Sequence, residues 1–173
     1  MKKVLKYAGI SLGAIFLVIQ IFQVDHTNPE VRSEPPWDSP RTRELAKRAC
    51  FDCHSAETNW PWYSYIAPAS WKVFNNVKNG RRHFYFSEYP VGTKKPEEAI
   101  EEIEKGSMPP SDYLLIHSEA KLTPLEKAEL IKGLRATFGL NKQGDQKTES
   151  EVKKGEKELN GREKREMEEA KGK

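Results

Sequence analysis

Cys50-Phe51-Asp52-Cys53-His54 holds both cysteines of this 173-residue chain, spaced C-x-x-C and followed at once by a histidine. Two thiols at that spacing can each form a thioether to one vinyl group of a porphyrin. The adjacent imidazole then lies beneath the ring and can bind its iron, so the motif is the attachment pattern of a c-type haem. Other chemistries ask for more than the chain has. Structural zinc usually takes four ligands, often as two Cys/His pairs, and His83 and His117 stand too far apart to form the second pair. A thioredoxin-like dithiol follows a strand in a βαβ setting, and nothing before Cys50 reads as a strand. A single structural disulfide stays open for an oxidising compartment, although its loop would be short.

Covalent haem attachment in bacteria takes place outside the cytoplasm, so the motif predicts export. The N-terminus agrees with that expectation. Lys2, Lys3 and Lys6 form a positive flank, and Tyr7 to Val24 is almost continuously apolar. With Val4 and Leu5 the run is about 21 residues, roughly 30 Å as a helix, the thickness of a bilayer core. It ends at Gln23-Val24-Asp25 without a small-x-small cleavage site, which favours a retained anchor over a cleaved signal. The basic flank stays cytoplasmic. The sequence thus predicts a single N-terminal transmembrane helix (1–24) in contact with membrane lipid. It places a single-pass protein in the bacterial cytoplasmic membrane, with its domain facing the periplasm.

Composition divides the rest. Residues 25–38 are polar and proline-rich (Asn28-Pro29, Glu34-Pro35-Pro36-Trp37) and read as an extended linker lifting the domain off the membrane. Aromatic and aliphatic residues concentrate in 39–140, a length that buries only a modest core unaided. A haem would add a large flat apolar surface to it. Residues 141–173 are dominated by Lys and Glu and read as a charged, disordered tail. Its charges nearly cancel and the whole chain carries only +3, which gives no reason to expect nucleic acid as a partner.

Within 39–140 every signal is helical. Ser39-Pro40 is an N-cap followed by proline at the first helical position, and a helix through Leu45, Ala46 and Ala49 would deliver the motif at its end. A second helix is expected from about Pro68 to Asn79, stopped by Gly80. A third begins near Pro96 and stops at Gly106. A fourth starts in the capping box Thr123-Pro124-Leu125-Glu126 and runs to Gly139. No alternating stretch is long enough for a sheet. The predicted fold class is all-α, a small cytochrome c-like helical domain around one covalent haem.

An iron held by His54 needs a second axial ligand or an open face, and that choice separates electron transfer from catalysis. Met108, in Gly106-Ser107-Met108-Pro109-Pro110, is the leading candidate, because prolines stiffen a loop that could hold a thioether at the metal. The competing reading is plain packing. His83 and His117 are rival ligands; His26 lies in the linker. In the aromatic block Trp60-Pro61-Trp62-Tyr63-Ser64-Tyr65, Trp60 and Tyr63 could wall the haem edge and reach a propionate, or simply fill the core. Arg81, with Arg82, could pair with propionates or form a solvated basic turn.

Several of these stretches resemble a bacterial family of small membrane-anchored haem-binding domains. They are the Cys50–Ser55 motif, Glu57–Pro68, Gly80-Arg81-Arg82, Phe86-Ser87-Glu88, Gly106–Pro110 and Tyr113–Thr123. Asp25-His26-Thr27-Asn28-Pro29 is similar too, although that family more often has Arg where His26 stands. The resemblance spans roughly residues 25 to 138 and implies c-type haem binding through Cys50, Cys53 and His54, without supplying a physiological role. The leading expectation is an electron carrier with His54/Met108-ligated iron and an unidentified redox protein as partner, not an enzyme. The alternative is a sensor or small peroxidase-like protein whose distal ligand is absent or displaceable.

Overall fold

Ser39 and Pro40 begin the domain as their chemistry dictates. The computed structural model describes residues 1–140, and the tail expected from residue 141 lies outside the described residues. Helix α1 is Lys2–Ile19 and α2 is Pro40–Ala49, whose Thr42 N–H donates to the Ser39 hydroxyl at 3.2 Å. A single turn, α3 (Phe51–His54), carries the motif, and a 3-10 turn follows at Trp62–Tyr65. Then come α4 (Ala69–His83), α5 (Pro96–Lys105), the one-turn α6 (Ser111–Leu114), a second 3-10 turn at Ser118–Ala120, and α7 (Pro124–Thr137). The extended pairing among the described residues is one isolated bridge between Ser33 and Glu88. The fold is all-helical.

Helices α2, α5 and α7 bring Leu45, Ala46, Ile100, Ile103, Leu130 and Leu134 into one core, which Phe51, Phe84 and Phe86 extend to the motif. Trp37, Phe51 and Phe86 form an aromatic cluster with ring centroids 5.3–6.1 Å apart. The start of α7 is the expected capping box: Thr123 accepts from the Glu126 N–H, and the Glu126 carboxylate accepts from the Thr123 N–H. Helix α5 stops at Gly106, whose φ of 78° lies in the left-handed region that favours glycine.

Gly80 does something other than stop a helix. Helix α4 continues past it to His83. A Cβ on Gly80 would stand 2.4 Å from the Cys53 carbonyl oxygen and 3.1 Å from the Cys53 Cβ. The missing side chain lets α4 lie directly against the motif turn.

The membrane anchor is overturned. Among the described residues no helix is long and apolar enough to cross a membrane. Helix α1 spends its first turns on Lys2, Lys3 and Lys6, and its apolar part from Tyr7 to Ile19 is only roughly 20 Å long at 1.5 Å per residue. The apolar run does not stay helical to Val24. At Gln20 the chain turns away, and the Gln20 amide exchanges hydrogen bonds with the backbone of Ala67 at 2.9 and 3.1 Å. The single-pass placement in the cytoplasmic membrane, and the periplasmic orientation derived from it, fall with the anchor.

The stretch after α1 is irregular and lies along the domain. His26 Nε2 is 2.6 Å from the Ser64 carbonyl, Asn28 donates to the Thr58 carbonyl at 2.8 Å, and the N–H of Arg32 donates to the Ser87 carbonyl at 3.0 Å. It acts as a strap rather than a free spacer.

Candidate functional site

The motif is positioned by what its second residue buries. Phe51 is 2% exposed and sits in the aromatic cluster, which fixes the turn, with Cys50 packed against the edge of the core. Cys50 ends α2 by donating its N–H to Ala46 O at 2.8 Å, and its carbonyl accepts from His54 N–H at 2.9 Å, closing the turn. Both cysteines are free and half-buried, so the disulfide reading finds no support. Burial pushes the Cys50 thiol up to about 12 and the Cys53 thiol up to about 11, with Asp52 adding to the second. Both are neutral thiols at physiological pH.

His54 is held twice. Its Nδ1 lies 2.8 Å from the Phe84 carbonyl, and its own carbonyl accepts the Phe86 N–H at 2.8 Å. A carbonyl can only accept, so Nδ1 carries the proton and Nε2 keeps its lone pair, the arrangement found in metal-bound imidazoles. Burial also holds the His54 pKa below its ordinary value, which keeps the ring neutral. No group of three or more His, Cys, Asp or Glu among the described residues could hold a metal ion.

A polar network meets beside Cys53. Tyr63 Oη is 2.6 Å from His117 Nε2, and His117 Nδ1 is 2.9 Å from Glu119 Oε1. Tyr113 stacks on His117 with ring centroids 4.2 Å apart and donates its hydroxyl to Asp52 Oδ2 at 2.7 Å. Burial, and then the Asp52 carboxylate, push the Tyr113 phenol well above its ordinary range. Tyr63, Val73, Val77, Tyr113 and His117 line a cavity of about 40 Å³ with Cys53. Sites for drug-sized ligands start at about 300 Å³, so this cavity is small as it stands.

The other expected residues are spread around this centre. Met108 is 39% exposed on the loop between α5 and α6, with its N–H 3.2 Å from Glu102 O. It is not among the side chains lining the cavity. Trp60 packs edge-on against His26, and its buried indole N–H has no acceptor among the described residues. Arg81 is a clasp: Nε donates to Ser55 O, and one terminal nitrogen donates to Asn28 Oδ1 and Thr58 Oγ1, all at 2.9 Å. His83 folds back on Asn79 O at the exposed end of α4. Asp52 and Tyr113 were not singled out from sequence. The signal that could have found the second is the four-residue spacing of Tyr113 and His117 directly after the Met-Pro-Pro loop.

The donor set fits a covalently held haem. It offers two neutral thiols, an imidazole with Nε2 available, and a glycine that keeps α4 against the motif. Residues 14–136 match the family described as "Haem-binding domain". No curated protein and no solved structure matches the chain.

Proposed function

Because the chain belongs to the haem-binding domain family, we propose that it is a c-type electron carrier with one haem held through Cys50 and Cys53 and iron ligated by His54 and Met108. The observation that carries this reading is the pinned His54 ring, which offers Nε2 from a turn that also presents two free thiols. When bound, the haem supplies a one-electron ferrous–ferric couple. Cys50 and Cys53 would hold the haem by thioether bonds, each formed by adding S–H across a vinyl group, an addition that would need no oxidant. The Phe84 carbonyl keeps the His54 tautomer fixed and raises the basicity of Nε2. A Met108 thioether as second ligand would raise the potential, and the Pro109-Pro110 pair limits how far its loop can wander. The chain performs no bond-making on a substrate in this reading.

A redox protein is the partner. Trp62, Leu115 and Ile116 are 76%, 84% and 62% exposed, and the Tyr63–His117 bond brings their two segments together. An apolar rim beside the motif supports transient docking.

The test has two parts. Haem should stay on the wild-type polypeptide in denaturing electrophoresis and be lost from the Cys50→Ala/Cys53→Ala variant; retention there refutes covalent attachment. The ferric protein should show the weak sulfur-to-iron charge-transfer band, absent in Met108→Ala. A second reading is favoured by His117, whose place in the network beside Cys53 suits a distal acid or base. If the band is missing from the wild type and the reduced protein binds carbon monoxide readily, this sensor or peroxidase-like reading replaces the electron carrier.

A further inference from the structure

We propose that the cavity bounded by Arg32, Arg81, Arg82 and Tyr85 binds a small oxyanion, carboxylate or phosphate, separately from the haem. The cavity measures about 560 Å³, within the roughly 300–1,000 Å³ of small-molecule sites. Neither cysteine nor His54 lines it, and the inference does not depend on which side chains ligate the iron.

Charge is the first argument. Of the three guanidinium groups on the wall, Arg32 is paired with Glu88. Arg81 and Arg82 have no carboxylate partner among the described residues: Arg81 bonds only to neutral oxygens, and Arg82 only to Asn79 Oδ1 at 3.1 Å. Arg81 is half-buried, and its burial lowers its pKa, so its charge is incompletely solvated and gains from a counter-ion. Planar guanidinium forks match the oxygens of carboxylate and phosphate. The second argument is Tyr85, whose hydroxyl is buried without a hydrogen-bond partner among the described residues. Buried hydroxyls are seldom left so. Its backbone is fixed by the Tyr85 N–H to Gly92 O bond at 2.7 Å, and the residue lines the cavity with the arginines and Glu88. Two cations and one unspent donor converge on one space. Glu30, the remaining carboxylate on the wall, forms no ion pair among the described residues and is the internal competitor for the same cations.

The haem-loaded full chain is titrated calorimetrically with inorganic phosphate and, separately, with succinate at low ionic strength. Saturable one-to-one binding of at least one probe is expected. Tyr85→Phe should weaken it about five-fold, the worth of one neutral hydrogen bond, and Arg82→Gln about ten-fold or more, the worth of a charge-assisted one. Glu30→Gln should tighten it about three-fold, because an exposed competing charge is gone. Tyr85→Phe keeps the ring, and Arg82 and Glu30 are exposed, so each variant is expected to fold; unchanged circular dichroism checks this. No saturable binding in the wild type, or equal affinities in all three variants, overturns the proposal. Binding seen in the haem-free Cys50→Ala/Cys53→Ala chain but lost in the haem-loaded chain also overturns it, since the occupant would then be a haem propionate.

Discussion

Replacing Gly80 by alanine sets two well-understood effects against each other. In an exposed helix interior the change stabilises by about 1 kcal/mol, because alanine loses less backbone entropy on folding. Here the new Cβ would sit 2.4 Å from the Cys53 carbonyl oxygen and 3.0 Å from its carbonyl carbon, against roughly 3.5 Å for an unstrained contact. Those atoms are backbone and cannot rotate away. Helix α4 must recede by about 1 Å, a gap at which neighbouring atoms forfeit a quarter to a half of their dispersion energy. Overpacking of this kind costs about 1–3 kcal/mol, so the net expectation is a loss of up to about 2 kcal/mol once propensity is credited. The sign is the diagnostic. Urea denaturation of Gly80→Ala should show a lower midpoint at unchanged slope, whereas Lys78→Ala, on the exposed face of the same helix, should shift it little. The haem-stained fraction of Gly80→Ala should fall too, because the displaced turn carries Cys53 and His54. A Gly80→Ala protein as stable as the wild type, with full haem loading, would refute the close approach.

Arg81→Ala removes three hydrogen bonds from one cation and should cost about 3 kcal/mol in chemical denaturation; Arg81→Lys should recover little, because an ammonium cannot span Ser55, Asn28 and Thr58 together. Glu126 is held at about 2, below its ordinary 4.5, first by the Thr123 backbone N–H and then by Arg48. A depressed folded pKa contributes stability above the unfolded value, so the gap between wild type and Glu126→Gln should be constant above pH 4.5 and close as pH falls toward 2. Phe86, 3% exposed against Trp37, Phe51 and Phe84, should cost about 4 kcal/mol on replacement by alanine, read from thermal unfolding with the m-value unchanged in urea.

Short-range chemistry was legible and long-range geometry was not. Ser39-Pro40, Thr123–Glu126 and Gly106 act within one helical turn, and their helices begin and end where those residues predict. Gly80 shows the limit: the same residue that ends one helix lets another approach a neighbour, and only the Cys53 backbone decides between them. The N-terminal run was misread for a related reason. Hydropathy counted residues to Val24, while a tertiary bond from Gln20 to Ala67 ended the helix early. In the site, Cys50, Cys53 and His54 announced themselves by spacing. Nothing local foretold that Arg81 would spend its donors on Ser55, Asn28 and Thr58, or that Tyr113 would reach back 61 residues to Asp52.

The strap has a bearing on the order of events during synthesis. Its partners at Ser64, Ser87 and Tyr89 lie 38 to 56 residues downstream of His26 and Ser33. A chain made from its N-terminus therefore releases Cys50 and Cys53 before the strap has anything to close on. For that interval the thiols belong to an unfinished polypeptide. The clasp that shuts around their neighbourhood is assembled only afterwards.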